Sequence, residues 1–103
     1  MSIDETFISK RINALRTQKN VSARDMSLSL GQSESYINKI ENGRTLPSVS
    51  GLMYICDYFN ISPADFFAED NPNPLLSNEL VKELKKLSPK QMQAIVDLIH
   101  SFQ

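Results

Sequence analysis

Apolar residues recur at intervals of three and four along the whole chain, and the breaks between them fall on Gly, Pro, Ser and Asn. Ile8, Ile12 and Leu15 stand at i, i+4 and i+7, one side of a helix, and predict a first helix over 6–18. "KNVS" interrupts the pattern. Ser22 and Asp25 then have the spacing of a capping box, so a second helix runs from there to about residue 30, with Met26 and Leu30 inward. Gly31 ends it in the left-handed conformation that closes many helices. Ser33 is the expected cap of a third helix over 33–42, ended by Gly43 in the same way. Ser48 caps a fourth, where Leu52, Ile55, Cys56 and Phe59 form a core-type stripe. Gly51, in its first turn, costs about 1 kcal/mol relative to alanine, a cost that a close helix contact would explain. "ISPADFF" opens a fifth helix, with Ser62 as cap, Pro63 at N1 and Asp65 at N3.

The next stretch, "EDNPNP", has the prolines and asparagines of a linker. Beyond it Leu80, Leu84 and Leu87 predict a helix over 78–87. A second capping box, Ser88 to Gln91 with Pro89 at N1, opens a last helix bearing Met92, Ile95, Val96, Ile99 and Phe102. The β-branched runs expected of strands are missing. The expectation is an all-α chain: a five-helix domain over 1–70, a linker over 71–77 and a helical hairpin over 78–103. That hairpin holds more apolar side chains than two short helices cover by themselves. It therefore packs on the first domain or on its copy in a second subunit, and a two-fold assembly favours the copy.

Composition narrows the function. The 103 residues are 41% hydrophobic and 22% charged, ordinary for a globular domain. No apolar run approaches the roughly 20 residues that span a bilayer, and "MSIDETFISK" has no signal-peptide core, so the expected compartment is the cytoplasm and no membrane partner is expected. One cysteine, Cys56, forms no internal disulfide, and with the lone His100 it serves a metal poorly. Cys56 reads as a small core hydrophobe, and Phe59, Phe66 and Phe67 as core rather than a ligand box. Without a Ser/His/Asp set, paired carboxylates or a phosphate loop, neither catalysis, a cofactor nor a small-molecule ligand is expected. Net charge is −1, which alone argues against a polyanionic partner. Its distribution changes that. Residues 10–44 carry seven bases against three acids, an excess of +4, and residues 45–71 carry four acids and no base.

The third helix has the pattern that needs a partner. Only Ile37 and Ile40 are committed inward, with Tyr36 intermediate. Two short helices pivoting on Gly31 make a helix-turn-helix, whose second helix fits a major groove about 12 Å wide and offers its leading and outer residues to base edges. The base-reading candidates are Gln32, Ser33, Glu34, Ser35, Tyr36 and Asn38. The phosphate candidates are Ser22, Arg24, Lys39 and Arg44. Glu34 has two roles open to it: an acid stabilising the first turn through the helix dipole, or an acceptor for a cytosine N4 amino group.

From Arg11 to Phe67 the chain resembles the Cro/C1-type (XRE-like) helix-turn-helix regulators. The resemblance lies in Arg16 ending helix one, Met26-Ser27 where that family has Leu-Ala, Leu30-Gly31, Ser33, "YINKIENG", Pro47-Ser48 and the stripe of helix four. It implies a five-helix, lambda-repressor-like DNA-binding domain, usually dimeric, in a transcriptional regulator of bacterial or phage type. Double-stranded DNA and a second copy are the implied partners, and repression by covering a promoter the implied activity. It also implies that Arg16 pairs with Glu41, a structural bond rather than a DNA contact. Two positions depart from the family: Ala23 replaces a glutamine that often opens helix two, and Glu34 stands where Gln or Pro is common. These departures favour a rival reading, a protein-interaction module of little DNA affinity working through Tyr36, the acidic helix-four and helix-five face, or the C-terminal hairpin.

Overall fold

A computed structural model describes residues 5–102, and among them it contains seven helices and no strand. They are α1 (Glu5–Lys19), α2 (Ala23–Ser29), α3 (Tyr36–Glu41), α4 (Val49–Phe59), α5 (Pro63–Phe66), α6 (Pro74–Leu84) and α7 (Pro89–Ser101). Residues 1–4 and Gln103, which the expected domain limits include, lie outside the described residues. No helix is long and apolar enough to cross a membrane among the described residues.

Serine starts four of the helices in the same way. The hydroxyls of Ser22, Ser48, Ser62 and Ser88 accept from the amides of Asp25, Gly51, Asp65 and Gln91 at 3.0–3.2 Å, each satisfying a donor that the helix leaves free. At Ser88 the box closes fully, because the Ser88 amide donates back to Gln91 Oε1 at 2.9 Å. Gly31 and Gly43 take φ of +73° and +75°, after α2 and α3 respectively.

Two helix limits differ from the sequence expectation. Helix three covers Tyr36–Glu41 rather than 33–42. Glu34 and Ser35 lie in the turn before it, and Ser33 contributes its carbonyl, which accepts from the Tyr36 amide at 3.1 Å. Helix six covers Pro74–Leu84 rather than 78–87. Asn73 caps it by accepting from the Leu76 amide, and Pro74 occupies N1, where a missing amide costs nothing. The Pro-Asn run that reads as a linker is thus in part a helix start.

The core joins Ile12 and Leu15 of α1, Met26 of α2, Ile37 and Ile40 of α3, Ile55, Cys56 and Phe59 of α4, then Ile61 and Phe66. Each buried side chain of this size contributes about 1.5–3 kcal/mol. Burial, helped by the neighbouring Asp57, raises the Cys56 thiol above its ordinary pKa and keeps it unreactive. Phe7 stacks on Phe67 and meets Phe66 edge-on, tying the start of α1 to α5. Arg11 lies buried beside them. Its Nε donates to the Phe66 carbonyl and its Nη2 to that of Asp65, both at 2.7 Å, so a cation covers the carbonyl end of α5. Desolvation lowers the Arg11 pKa against the raising influence of Asp65.

The C-terminal helices are held at one end. Pro74 is buried, Leu75 packs on the core, and Gln18 Nε2 donates to the Pro72 carbonyl at 2.8 Å. Further along, Leu76, Leu80, Val81, Met92, Val96, Leu98, Ile99 and Phe102 are all exposed, and α7 contributes no buried residue. The molecule is correspondingly elongated, 49 × 32 × 21 Å.

Candidate nucleic-acid interface

Three sets of contacts position α3. Ile37 and Ile40 enter the core from its inner side. At its start, Ser35 makes no side-chain cap bond. The missing acceptor comes from α2: buried Ser27 Oγ accepts from the Ile37 amide at 2.9 Å and donates to the Ala23 carbonyl at 2.7 Å. One hydroxyl therefore caps α3 and fixes it to α2. At the other end Glu41 is bound by α1. Arg16 Nε and Nη2 donate to its two oxygens at 2.7 and 3.0 Å, and Asn13 Nδ2 donates to Oε1 at 2.8 Å. A third Arg16 bond reaches the Val21 carbonyl at 2.9 Å. The Glu41 hydrogen bond raises the Arg16 pKa despite its desolvation. Arg16 thus joins α1 to α3 and to the turn before α2.

The candidate base readers divide. Gln32, Ser33, Glu34 and Asn38 are exposed. Asn38 Oδ1 accepts from Asn42 Nδ2 at 3.2 Å, one turn on. Ser35 and Tyr36 are half-buried. Tyr36 packs against the core, and its hydroxyl lies 2.9 Å from where a Cβ on Gly51 would sit. A larger residue at Gly51 would also come within 3.0 Å of the Ser48 hydroxyl, so one of these two side-chain ends would have to shift.

The candidate phosphate ligands divide too. Ser22 uses its hydroxyl as the cap of α2. Arg24 Nε pairs with Glu34 Oε2 at 3.1 Å, with both side chains 66% exposed. Glu34 therefore lies outside the first turn of α3 and is engaged with a cation, a contact that neither of the roles expected for it includes. Lys39 and Arg44 are exposed and make no ion pair among the described residues. Burial of Arg11 takes one cation from the exposed surface of residues 10–44, while the Arg16–Glu41 and Arg24–Glu34 pairs leave the basic excess as it is, because both acids are already in the count. Lys19 lies over the Tyr58 ring at 5.1 Å. No cluster of three or more His, Cys, Asp or Glu able to hold a metal ion occurs among the described residues.

Residues 9–72, well over half the chain, match the model of a helix-turn-helix domain family associated with XRE-like regulators. The chain belongs to this helix-turn-helix family. Comparison with curated proteins and with solved structures returns no match. The helix-turn-helix domain points to DNA as its partner.

Sequence reasoning missed Ser27, Arg11 and the Arg24–Glu34 pair. For Ser27 one signal exists: a polar residue beside Met26 on the inward side of α2 needs buried hydrogen-bond partners. The partners of Arg11 lie more than 50 positions away, and nothing local announces them.

Proposed function

We propose that the chain is a sequence-specific double-stranded DNA-binding regulator of Cro/C1 type, acting in the cytoplasm as a homodimeric repressor. The observation that carries this reading is the pose of α3. Ile37 and Ile40 anchor it from behind, while Asn38 and Lys39 face outward and the exposed turn of Gln32, Ser33 and Glu34 precedes it. In this account α3 lies in the major groove with Gln32 and Asn38 at base edges, and Lys39 and Arg44 hold phosphates. Ser35 and Tyr36 act from behind, Tyr36 by wedging against Gly51. The five-helix unit is the reading head. The exposed apolar side chains of α6 and α7 meet their copies in a second subunit, which places two reading helices about 34 Å apart on one side of the duplex. Repression follows from occupancy, since such a dimer covers promoter DNA without needing an activation surface.

Titration of duplex DNA over a salt series tests the reading. Affinity should fall as salt rises, with a log–log slope of about −0.9 per phosphate neutralised, and Lys39→Ala should weaken all sequences about equally. No binding to any duplex at low salt would transfer the scaffold to protein interaction.

A further inference from the structure

Arg24 and Glu34 form an ion pair that folding does not require. Both side chains are 66% exposed, and such pairs add little stability. The α2–α3 junction is already held by Ile37, Ile40, the Ser27 hydroxyl and the turn at Gly31. The pair links the second residue of α2 to the turn that leads into α3, at the edge of the surface assigned above to DNA. At such an edge a guanidinium is a strong ligand for backbone phosphate, and a carboxylate is its direct competitor.

We propose that Glu34 withholds Arg24 from the phosphates of non-specific DNA, an inference that rests on the DNA-binding reading. In the free protein the guanidinium Nε is already donating to Glu34. An arriving phosphate must displace the carboxylate, leaving one anion beside another, or accept a cation that is already neutralised. Either way Arg24 contributes less to phosphate binding than an unpaired arginine would. Non-specific affinity comes almost wholly from phosphate neutralisation, whereas hydrogen bonds from Gln32 and Asn38 to base edges do not involve Arg24. Glu34 therefore lowers the phosphate-borne part of binding, which is nearly all of the affinity for non-specific DNA and only a share of that for a specific site.

Four full-length proteins decide the matter: wild type, Glu34→Gln, Arg24→Ala and the double variant, each titrated against random-sequence duplex over a salt series. Glu34→Gln should tighten binding and steepen the log–log slope by about 0.9 for each subunit engaged, as one more phosphate is neutralised. In the Arg24→Ala background the same change should leave the slope where it was. An unchanged slope in Glu34→Gln overturns the proposal. So does an equal steepening with and without Arg24, because Glu34 would then be a general repulsive charge. If none of the four binds duplex, the DNA reading falls and the proposal falls with it, whereas either of the other two adverse results overturns the proposal alone.

Discussion

Phe66 and Phe102 mark two regions built by the same helical rules with opposite outcomes. Phe66, in α5, is 0% exposed, and Phe102, just beyond α7, is 79% exposed. From α1 to α5, inward positions from every helix meet in one core. From α6 onward, a periodicity just as regular leaves Leu76, Leu80, Val81, Met92, Val96, Leu98, Ile99 and Phe102 exposed, while Leu84, Leu87 and Ile95 are half-buried. Periodicity predicts that a helix has an apolar side; it says nothing about what covers it. Where the chain does not supply the cover, an exposed apolar surface points to an interaction, and we assign it to a second copy.

The largest effect should come from the core. Phe66→Ala should cost about 3–5 kcal/mol in chemical denaturation; a loss near zero would break the comparison at its strong end. Next comes the bond between α1 and α3. Arg16→Ala leaves Glu41, whose side chain is only 9% exposed, with Asn13 as its remaining side-chain partner. The expected loss is on the order of 3 kcal/mol, reduced as water reaches the site. A variant of full stability that no longer binds DNA would make Arg16 a ligand. Ser27→Ala should cost about 1–3 kcal/mol by leaving the Ile37 amide without its acceptor. Hydrogen exchange at Ile37 locates that loss: it should speed up more than exchange at Ile12, and parallel changes would remove the special role of Ser27. Phe102→Ala should have the smallest effect on the subunit itself, within about 0.5 kcal/mol, while shifting sedimentation toward monomer. Unchanged association would move the subunit contact away from α7.

Legibility followed the range of the interaction. Ser48, Ser62 and Ser88 act within three residues of themselves, and their helices begin where the sequence places them. The third helix does not, because its cap is Ser27, ten positions upstream, while Ser33 has the look of a cap and serves through its carbonyl. At α6 composition is ambiguous, since Asn73 and Pro74 suit a linker and a helix start equally well. At the candidate interface, the exposure of Asn38 and Lys39 follows from the spacing of Ile37 and Ile40. The pairing of Arg24 with Glu34 and the inward turn of Tyr36 depend on how α2, α3 and α4 approach one another. Charge counting is the weakest guide: Arg11 counts as one more surface base in sequence and serves as an internal fastener in the fold, whereas the Arg16–Glu41 bond is the one that the family resemblance implies.

The central claim, that α3 reads DNA as one of a two-fold pair, is tested most directly by selecting bound duplexes from a random-sequence pool with the full-length protein. The expected result is enrichment of a two-fold-symmetric site whose half-sites lie about 34 Å apart, one helical turn. A pool that stays random after repeated rounds, or an enriched site without symmetry, would contradict it.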